Sequence, residues 1–362
     1  MTKAFKRIAV SAALIAVSVG LWLIDSKPHL DRLGAAESWS TSFPFSKNPQ
    51  AEVLETGLDD VRGLACDANG NVFLAEANGR VLEYTAAGSF REPLPLVNKP
   101  GELPLKEPEK IDQRGAVVCG KSLFIAAHGQ GRVVSRESPL DASREEALDV
   151  SPITGPSGIA VASDTLFITD DRPWPGPSED TSFDSSDYTR WIDKGTSRLF
   201  GAVYTCTVQK SQWTVALVGS RLRHPSGIAA EGPNGPLFVA ESDSAEVRWA
   251  IFEKNHKGGW TEAGALGSAP AAGGILPPFM GVAIDDAHQY VFAAGPKSLY
   301  VFSRQDGMLG RILFEEPVTG VAYHARAVYL MAGHQLCRLR MDEAAAPVAP
   351  VREPAGGAAG GK

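Results

Sequence analysis

The chain has 362 residues, of which 44% are hydrophobic and 21% charged, which excludes wholesale disorder and allows one large domain or two ordinary ones. Its 37 glycines and 25 prolines favour many short strands joined by turns. The net charge of −7, without any cluster of Lys and Arg, predicts no nucleic-acid partner.

The N-terminal segment, residues 1–27, is predicted to form a hydrophobic anchor helix. Lys3, Lys6 and Arg7 precede an uncharged run, Ile8–Ile24, that is longer than most signal-peptide cores and slightly shorter than a membrane span of ~20 residues. We expect an uncleaved membrane anchor, with a cleaved signal peptide as the alternative. Because the basic residues precede the run, both interpretations export the rest of the chain, either membrane-anchored or secreted, to the periplasm, the ER lumen or the extracellular space.

Residues 28–56 are predicted to be a linker, and residues 57–342 contain a six-fold repeat. Each copy starts with a strand of the form x-x-Gly-apolar-Ala/Val, and the copies are roughly 40–50 residues apart except for one longer interval. The repeated glycines are Gly63, Gly115, Gly158, Gly227, Gly281 and Gly320. A second apolar strand follows each first strand after a short turn, starting at Asn71, Ser122, Thr165, Pro236, Gln289 and Ala327.

A third strand is recognisable in most copies, as in the run from Gly79, and a fourth in some, as in the run from Gln212. Four short strands per repeat are typical of a propeller blade, and radial closure removes the exposed edges of an open sheet. We therefore predict an all-β, six-bladed β-propeller of four-stranded blades. The recurring glycine is predicted to pack where the first strands of neighbouring blades crowd the central axis.

The longer interval results from an insertion, residues 172–196, after the second strand of the third copy. The insertion is rich in Pro, Ser and Asp and carries Trp174, Tyr188 and Trp191. Loops of this length are often lids or binding loops, so we expect it to cover one mouth of the axis. Residues 343–362, composed mainly of Ala, Pro and Gly, are predicted to be a disordered tail.

Four cysteines lie in apolar strands, and their spacing matches no metal motif. An exported chain could pair them, but burial as small hydrophobic side chains is favoured over a disulfide. The four are Cys66, Cys119, Cys206 and Cys337.

Two pairs of aspartates occupy positions where propeller loops converge on the axis. Asp59 and Asp60 precede the first strand of the first copy, and Asp170 and Asp171 end the second strand of the third copy. Converging carboxylates repel one another unless a cation such as Ca²⁺ accepts them. Capping of turns, where Asp is favoured, is the alternative.

The run IAVASDTLFITDDRPWP from Ile159, the strand GAVYTC from Gly201 and the stretch from Arg223 to Asn255 resemble the paraoxonase/arylesterase family. That family belongs with the strictosidine synthase-like and gluconolactonase-like six-bladed propellers. The similarity follows the blade order from about Gly57 to Met341. It implies two axial calcium ions, one structural and one catalytic, and cleavage of an ester or lactone by water.

Residue by residue, the resemblance implies a structural ion held by Asp60 and Asp171 with the carbonyls of Val61 and Ala116. For the implied catalytic ion, this sequence has fewer of the family's oxygen ligands. Asp59 and Asp170 match its acidic positions, Ser226 stands where the family has Asn, and Phe279 and Met280 replace an Asp-Asn pair.

The implied catalytic histidine at the start of blade two falls on Arg114, and its partner histidine matches His128. Arg114 cannot act as a base but suits an oxyanion or a carboxylate. Cys337 matches a family cysteine whose partner before the first blade is missing. We therefore expect a divergent calcium-dependent hydrolase of small esters or lactones. The alternatives are a degenerate binding or scaffold propeller that keeps a structural calcium and, less favoured, a strictosidine synthase-like enzyme.

Overall fold

In the computed structural model, the described part of the chain forms six antiparallel sheets. The predicted anchor, insertion and tail all lie outside it. No helix within the described part is long and apolar enough to cross a membrane. The structure describes residues 36–38, 40–46, 49–91, 112–137, 145–148, 150–171, 200–209, 212–241, 249–264, 281–303 and 306–342.

The strands are numbered in chain order. Two precede the first blade, β1 (Ala36–Ser38) and β2 (Glu52–Glu55). Blade 1 has β3 (Val61–Cys66), β4 (Val72–Glu76), β5 (Val81–Tyr84) and β6 (Phe90–Arg91). Blade 2 has β7 (Gln113–Cys119), β8 (Ser122–Ala127), β9 (Arg132–Arg136) and β10 (Glu145–Leu148), with a 3-10 turn, His128–Gln130, after β8. Blade 3 has β11 (Pro156–Ala162), β12 (Thr165–Asp170), β13 (Phe200–Gln209) and β14 (Gln212–Arg223).

Blade 4 has β15 (Pro225–Ala230), β16 (Leu237–Glu241), β17 (Trp249–Lys254) and β18 (Trp260–Gly264). Blade 5 has β19 (Gly281–Ile284), β20 (Tyr290–Gly295), β21 (Ser298–Ser303) and β22 (Gly307–Leu313). Blade 6 has β23 (Val318–His324), β24 (Ala327–Ala332) and β25 (Gln335–Arg340).

The first strands of the blades form the central ring. β3 packs against β7, and the contacts continue through β11, β15, β19 and β23 back to β3. The prediction of a six-bladed propeller with four-stranded blades is confirmed. The second strands β4, β16, β20 and β24 are buried along their whole length. Neighbouring blades cover both of their faces, which explains their continuous apolar sequences.

The beginning of the described chain closes the ring. β2 pairs with β25 and supplies the fourth strand of blade 6, with Glu52 opposite Arg338. Arg338 Nη2 lies 2.6 Å from Glu52 Oε2. β1 adds a fifth strand to blade 5 beside β22. Within the predicted linker, the described residues thus belong to two of the blades, and Phe45 packs edge-on against Phe292 of blade 5.

The repeated glycines lie where the inner strands come closest. A Cβ built on Gly158 would lie 2.5 Å from the carbonyl oxygen of Ser226, and one on Gly115 would lie 2.9 Å from that of Ser157. Real Cβ atoms do not approach backbone this closely, so any side chain here would push neighbouring blades apart. The predicted packing role of the repeated glycine is confirmed at these blades.

A β-bulge accompanies the repeated glycine. In blades 1, 2, 3, 4 and 6, the register between the first and second strands shifts at this point. A bulge leaves one residue unpaired and turns its side chain to a new direction. The residues directly before the glycine in these blades are Arg62, Arg114, Ser157, Ser226 and Thr319.

All four cysteines lie in the described part and are free thiols. Cys206 and Cys337 are buried, and burial raises the pKa of both thiols to about 12. They remain protonated at neutral pH and pack as small apolar groups, as predicted.

Candidate axial site

Charged side chains from three blades meet at one mouth of the axis, where first strands begin and second strands end. Blades 1 and 2 each contribute an aspartate directly before the first strand and an arginine as its second residue. A histidine directly after β8 and an aspartate directly after β12 complete the set. We call this set the axial charge cluster, and its members are Asp60, Arg62, Asp112, Arg114, His128 and Asp171.

The backbone at the start of each first strand positions these side chains. Asp60 and Asp112 have positive φ angles of 38° and 41°, a conformation that Asp tolerates better than most residues. The carbonyl of Asp112 accepts a hydrogen bond from the His128 N–H at 3.1 Å, and that of Gly155 accepts one from the Asp171 N–H at 3.0 Å. The end of each second strand is therefore tied to the start of its first strand.

The two arginines join carboxylates of three consecutive blades. Arg62 Nε and Nη2 each lie 3.0 Å from an oxygen of Asp60, and Nη1 lies 2.5 Å from Asp112 Oδ1. Arg114 repeats the pattern one blade further. Its Nε lies 3.0 Å from Asp112 Oδ2, and its Nη1 lies 2.5 Å from Asp171 Oδ2. Charge-assisted bonds of this kind are about twice as strong as neutral ones.

His128 closes the network between blades 2 and 3. Its Nε2 lies 2.7 Å from Asp171 Oδ1, and its Nδ1 lies 3.2 Å from Asp112 Oδ2. Both ring nitrogens thus face a carboxylate oxygen, and a doubly protonated ring would be a cationic partner of both aspartates. In that state three cationic groups face three carboxylates.

Asp171 is the least exposed carboxylate of the cluster. Burial alone would raise its pKa, but the hydrogen bond and charge of His128, with the charge of Arg114, outweigh burial and hold the pKa below its ordinary value. Its side chain is 16% exposed, whereas that of Asp60 is 55% exposed. The network is thus driest where blades 2 and 3 meet.

The cluster borders an axial cavity of about 40 Å³. Arg62, Arg114, Ser157 and Ser226 line it together with the repeated glycines. This volume holds a few water molecules and is far below the ~300 Å³ of a small-molecule site. The axial cavity between these residues is therefore too small to enclose a small organic molecule.

Two of the predicted metal ligands have other surroundings. Asp59 is exposed. Asp170 is buried, and its oxygens accept hydrogen bonds from the N–H groups of Thr154 at 2.8 Å and Gly155 at 2.9 Å. Its carboxylate caps a turn, which is the alternative that the sequence left open. Ser226 contributes to the cavity wall on blade 4, and the positions predicted to have lost metal ligands, 279 and 280, lie outside the described residues.

Calcium does not fit the axial charge cluster in this arrangement. All six oxygens of Asp60, Asp112 and Asp171 lie 3.0 Å or less from an arginine or histidine nitrogen. The predicted carbonyl ligand of Val61 accepts a hydrogen bond from Thr319 Oγ1 at 3.1 Å. Ca²⁺ needs 6–8 oxygen ligands, and here cationic groups occupy them. Within the described ranges, no group of three or more His, Cys, Asp and Glu is arranged to hold a metal.

The sequence predictions brought together Asp60, Arg114, His128 and Asp171 but missed Arg62 and Asp112. A signal for both is present, because the tetrapeptide Asp-x-Arg-Gly occurs at the start of blades 1 and 2, as residues 60–63 and 112–115. Alignment of the repeats on this tetrapeptide would have placed the two arginines and two aspartates at equivalent positions.

The fold and the cluster define a six-bladed propeller with a charged centre at one axial mouth. No family model and no curated protein matches the chain. Among solved structures it is similar to a structural-genomics target assigned provisionally to the gluconolactonases, with a TM-score of 0.61 and 15% identity over 85% of this chain and 98% of that one. A gluconolactonase from Xanthomonas campestris gives a TM-score of 0.61 and 17% identity over 85% and 95%.

The hydrazine synthase of Kuenenia stuttgartiensis gives a TM-score of 0.50 and 11% identity over 79% of this chain and 97% of that one. At these identities the likeness shows the fold alone, and a fold does not by itself fix a reaction. The chain has the six-bladed propeller fold of its gluconolactonase neighbours, and its function has to be argued from its own residues.

Proposed function

We propose that the protein is a hydrolase of lactones or esters that works at the axial charge cluster. The observation that carries the proposal is that the two predicted catalytic residues, Arg114 and His128, bind the same carboxylate, Asp171. The gluconolactonase neighbours support lactones as substrates, and the resemblance to paraoxonases and arylesterases adds esters.

Arg114 is the group suited to stabilise negative charge on the substrate. Its contacts to Asp112 and Asp171 use two of the five N–H groups of a guanidinium, and the side chain is 34% exposed. The remaining N–H groups are donors for a carbonyl oxygen bound at the mouth. They would bind it more strongly as it becomes an oxyanion, which is the requirement for lowering the barrier.

His128 and Asp60 are suited to move the protons. Water adds to the carbonyl carbon and loses a proton to Asp60, the most exposed carboxylate of the cluster. As the carbon–oxygen bond to the leaving alkoxide breaks, the His128 imidazolium protonates that alkoxide. Transfer of the proton from Asp60 to the imidazole through water restores the starting state.

The test is an assay of the full-length protein on a sugar δ-lactone, a γ-lactone and an aryl ester, in calcium and in chelator. We expect turnover with at least one substrate. The expected loss is roughly 100-fold for Arg114→Gln and roughly 100-fold or more for His128→Gln. Arg91→Gln is the control, because Arg91 pairs with Glu83 on an outer strand of blade 1. Turnover that survives both cluster substitutions would place the reaction elsewhere.

A ligand-binding or scaffold module is the second candidate. It is favoured by the pairing of every oxygen of the three clustered aspartates with a cationic group, which leaves no carboxylate idle as a base. Absence of turnover with all three substrate classes, from protein that melts cooperatively, would overturn the hydrolase and support this candidate.

A further inference from the structure

The axial charge cluster links blades through guanidinium groups at the place where the sequence predicts a calcium ion. Arg62 reaches from blade 1 to Asp112 of blade 2, and Arg114 reaches from blade 2 to Asp171 of blade 3. We propose that these two arginines replace a metal as the axial cross-link of blades 1 to 3, so that the propeller assembles and keeps its stability without calcium. This proposal does not depend on the hydrolase activity.

The charges support the replacement. A calcium ion would bring two positive charges to the carboxylates, and Arg62 with Arg114 bring the same two. The guanidinium groups also direct five N–H contacts at five carboxylate oxygens, while His128 Nε2 contacts the sixth. A planar fork of donors is matched to carboxylate geometry, which a spherical ion is not.

The backbone supports it as well. In blades 1 and 2 the bulge at the repeated glycine leaves the preceding residue unpaired in the sheet, and that residue is arginine. An aspartate with a positive φ angle stands two residues before each arginine. Arg62 Nε lies 3.0 Å from Asp60 Oδ1, and Arg114 Nε lies 3.0 Å from Asp112 Oδ2. The Asp-x-Arg-Gly unit thus occurs in both blades, and in each the arginine makes its second contact with an aspartate of the following blade.

Guanidinium and calcium compete for the same oxygens. A cation placed among Asp60, Asp112 and Asp171 would have to displace Arg62 and Arg114, and it would be repelled while they stay. If both arginines are removed, three carboxylates face one another with only His128 as a cationic partner. The cluster should then bind calcium in the double variant, although it does not bind calcium in the natural protein.

The experiment measures thermal unfolding of the full-length protein and of Arg62→Gln/Arg114→Gln, each in calcium and in chelator, with calorimetric titration of calcium into both. For the natural protein we expect the same melting temperature in both buffers and no heat of binding. The double variant should melt roughly 2–3 °C lower in chelator, and calcium should recover part of that loss. Arg91→Gln is the matched control and should behave like the natural protein.

Calcium binding by the natural protein, or a lower melting temperature in chelator, would overturn the proposal. A double variant as stable in chelator as Arg91→Gln would also overturn it, because the arginines would then not be a cross-link. If the double variant fails to fold, Arg62→Lys/Arg114→Lys replaces it. That variant keeps the charges but loses the fork, so it should melt below the natural protein in both buffers, and an unchanged melting temperature would count against the proposal.

Discussion

The same bulge position joins neighbouring blades in two chemically different ways. In blades 3 and 6 the residue before the repeated glycine carries a hydroxyl. Ser157 Oγ donates to the carbonyl of Pro225 in blade 4 at 2.5 Å, and Thr319 Oγ1 donates to the carbonyl of Val61 in blade 1 at 3.1 Å. In blades 1 and 2 the position holds an arginine, which reaches a carboxylate of the next blade.

The fold therefore places the residue before the repeated glycine at the contact between two blades, and the type of side chain determines whether that contact is neutral or charged. Ser157 is only 3% exposed and makes a neutral, buried link to blade 4. The side chains of Arg62 and Arg114 are instead 40% and 34% exposed. The charged side of the axis is therefore the more exposed to solvent of the two.

The largest loss of stability should come from filling the space at a repeated glycine. Gly158→Ala places a Cβ 2.5 Å from the backbone oxygen of Ser226, which cannot yield without moving blade 4. We expect a loss of about 3 kcal/mol in the free energy of unfolding, measured by chemical denaturation. Gly320→Ala, at the equivalent position of blade 6, meets only Leu64 Cβ at 3.4 Å and should cost well under half as much. Equal losses would show that the crowding is not particular to blade 3.

The second largest loss of stability should come from removing the neutral hydrogen bond between Ser157 and the Pro225 carbonyl. Ser157→Ala removes a buried hydroxyl that bonds both the Pro225 carbonyl and Thr169 Oγ1, so the carbonyl loses its donor. We expect a loss of about 2 kcal/mol. The control is Thr205→Val, since Thr205 is a strand residue whose hydroxyl also donates to a carbonyl but is exposed. A Ser157 variant as stable as this control would contradict the assignment of the link.

The charged links should be worth least for stability, because water screens them. Arg114→Gln should cost about 1 kcal/mol and Arg62→Gln less. The order follows from burial, because the Asp171 partner of Arg114 is 16% exposed and the Asp60 partner of Arg62 is 55% exposed. Denaturation at low and high salt checks this, and salt should shrink both losses. A larger loss of unfolding free energy for Arg62→Gln than for Arg114→Gln would contradict this order.

The fold was predictable because one steric requirement recurs. Gly63, Gly158 and their counterparts mark each first strand, and the buried second strands carry uninterrupted apolar runs. The closing strands β1 and β2 were not predictable in the same way. They are short, lack a repeat signature, and pair with strands far along the chain, as Glu52 does with Arg338.

Four of the six members of the axial charge cluster were predictable from position, but their partners were not. A pair such as Asp170-Asp171 is equally compatible with a metal site and a turn cap, and in the structure Asp170 caps a turn while Asp171 binds His128. The contact between Arg62 and Asp112 joins residues in different blades. Only alignment of the two Asp-x-Arg-Gly units would have indicated it.

The most direct test of the central claim, that arginines hold the axial carboxylates where a metal was expected, is a crystal structure of the natural protein grown in calcium. We predict Arg62 between Asp60 and Asp112, and Arg114 between Asp112 and Asp171, with no cation on the axis. A calcium ion bound by Asp60 and Asp171, with the two guanidinium groups turned away, would contradict the claim.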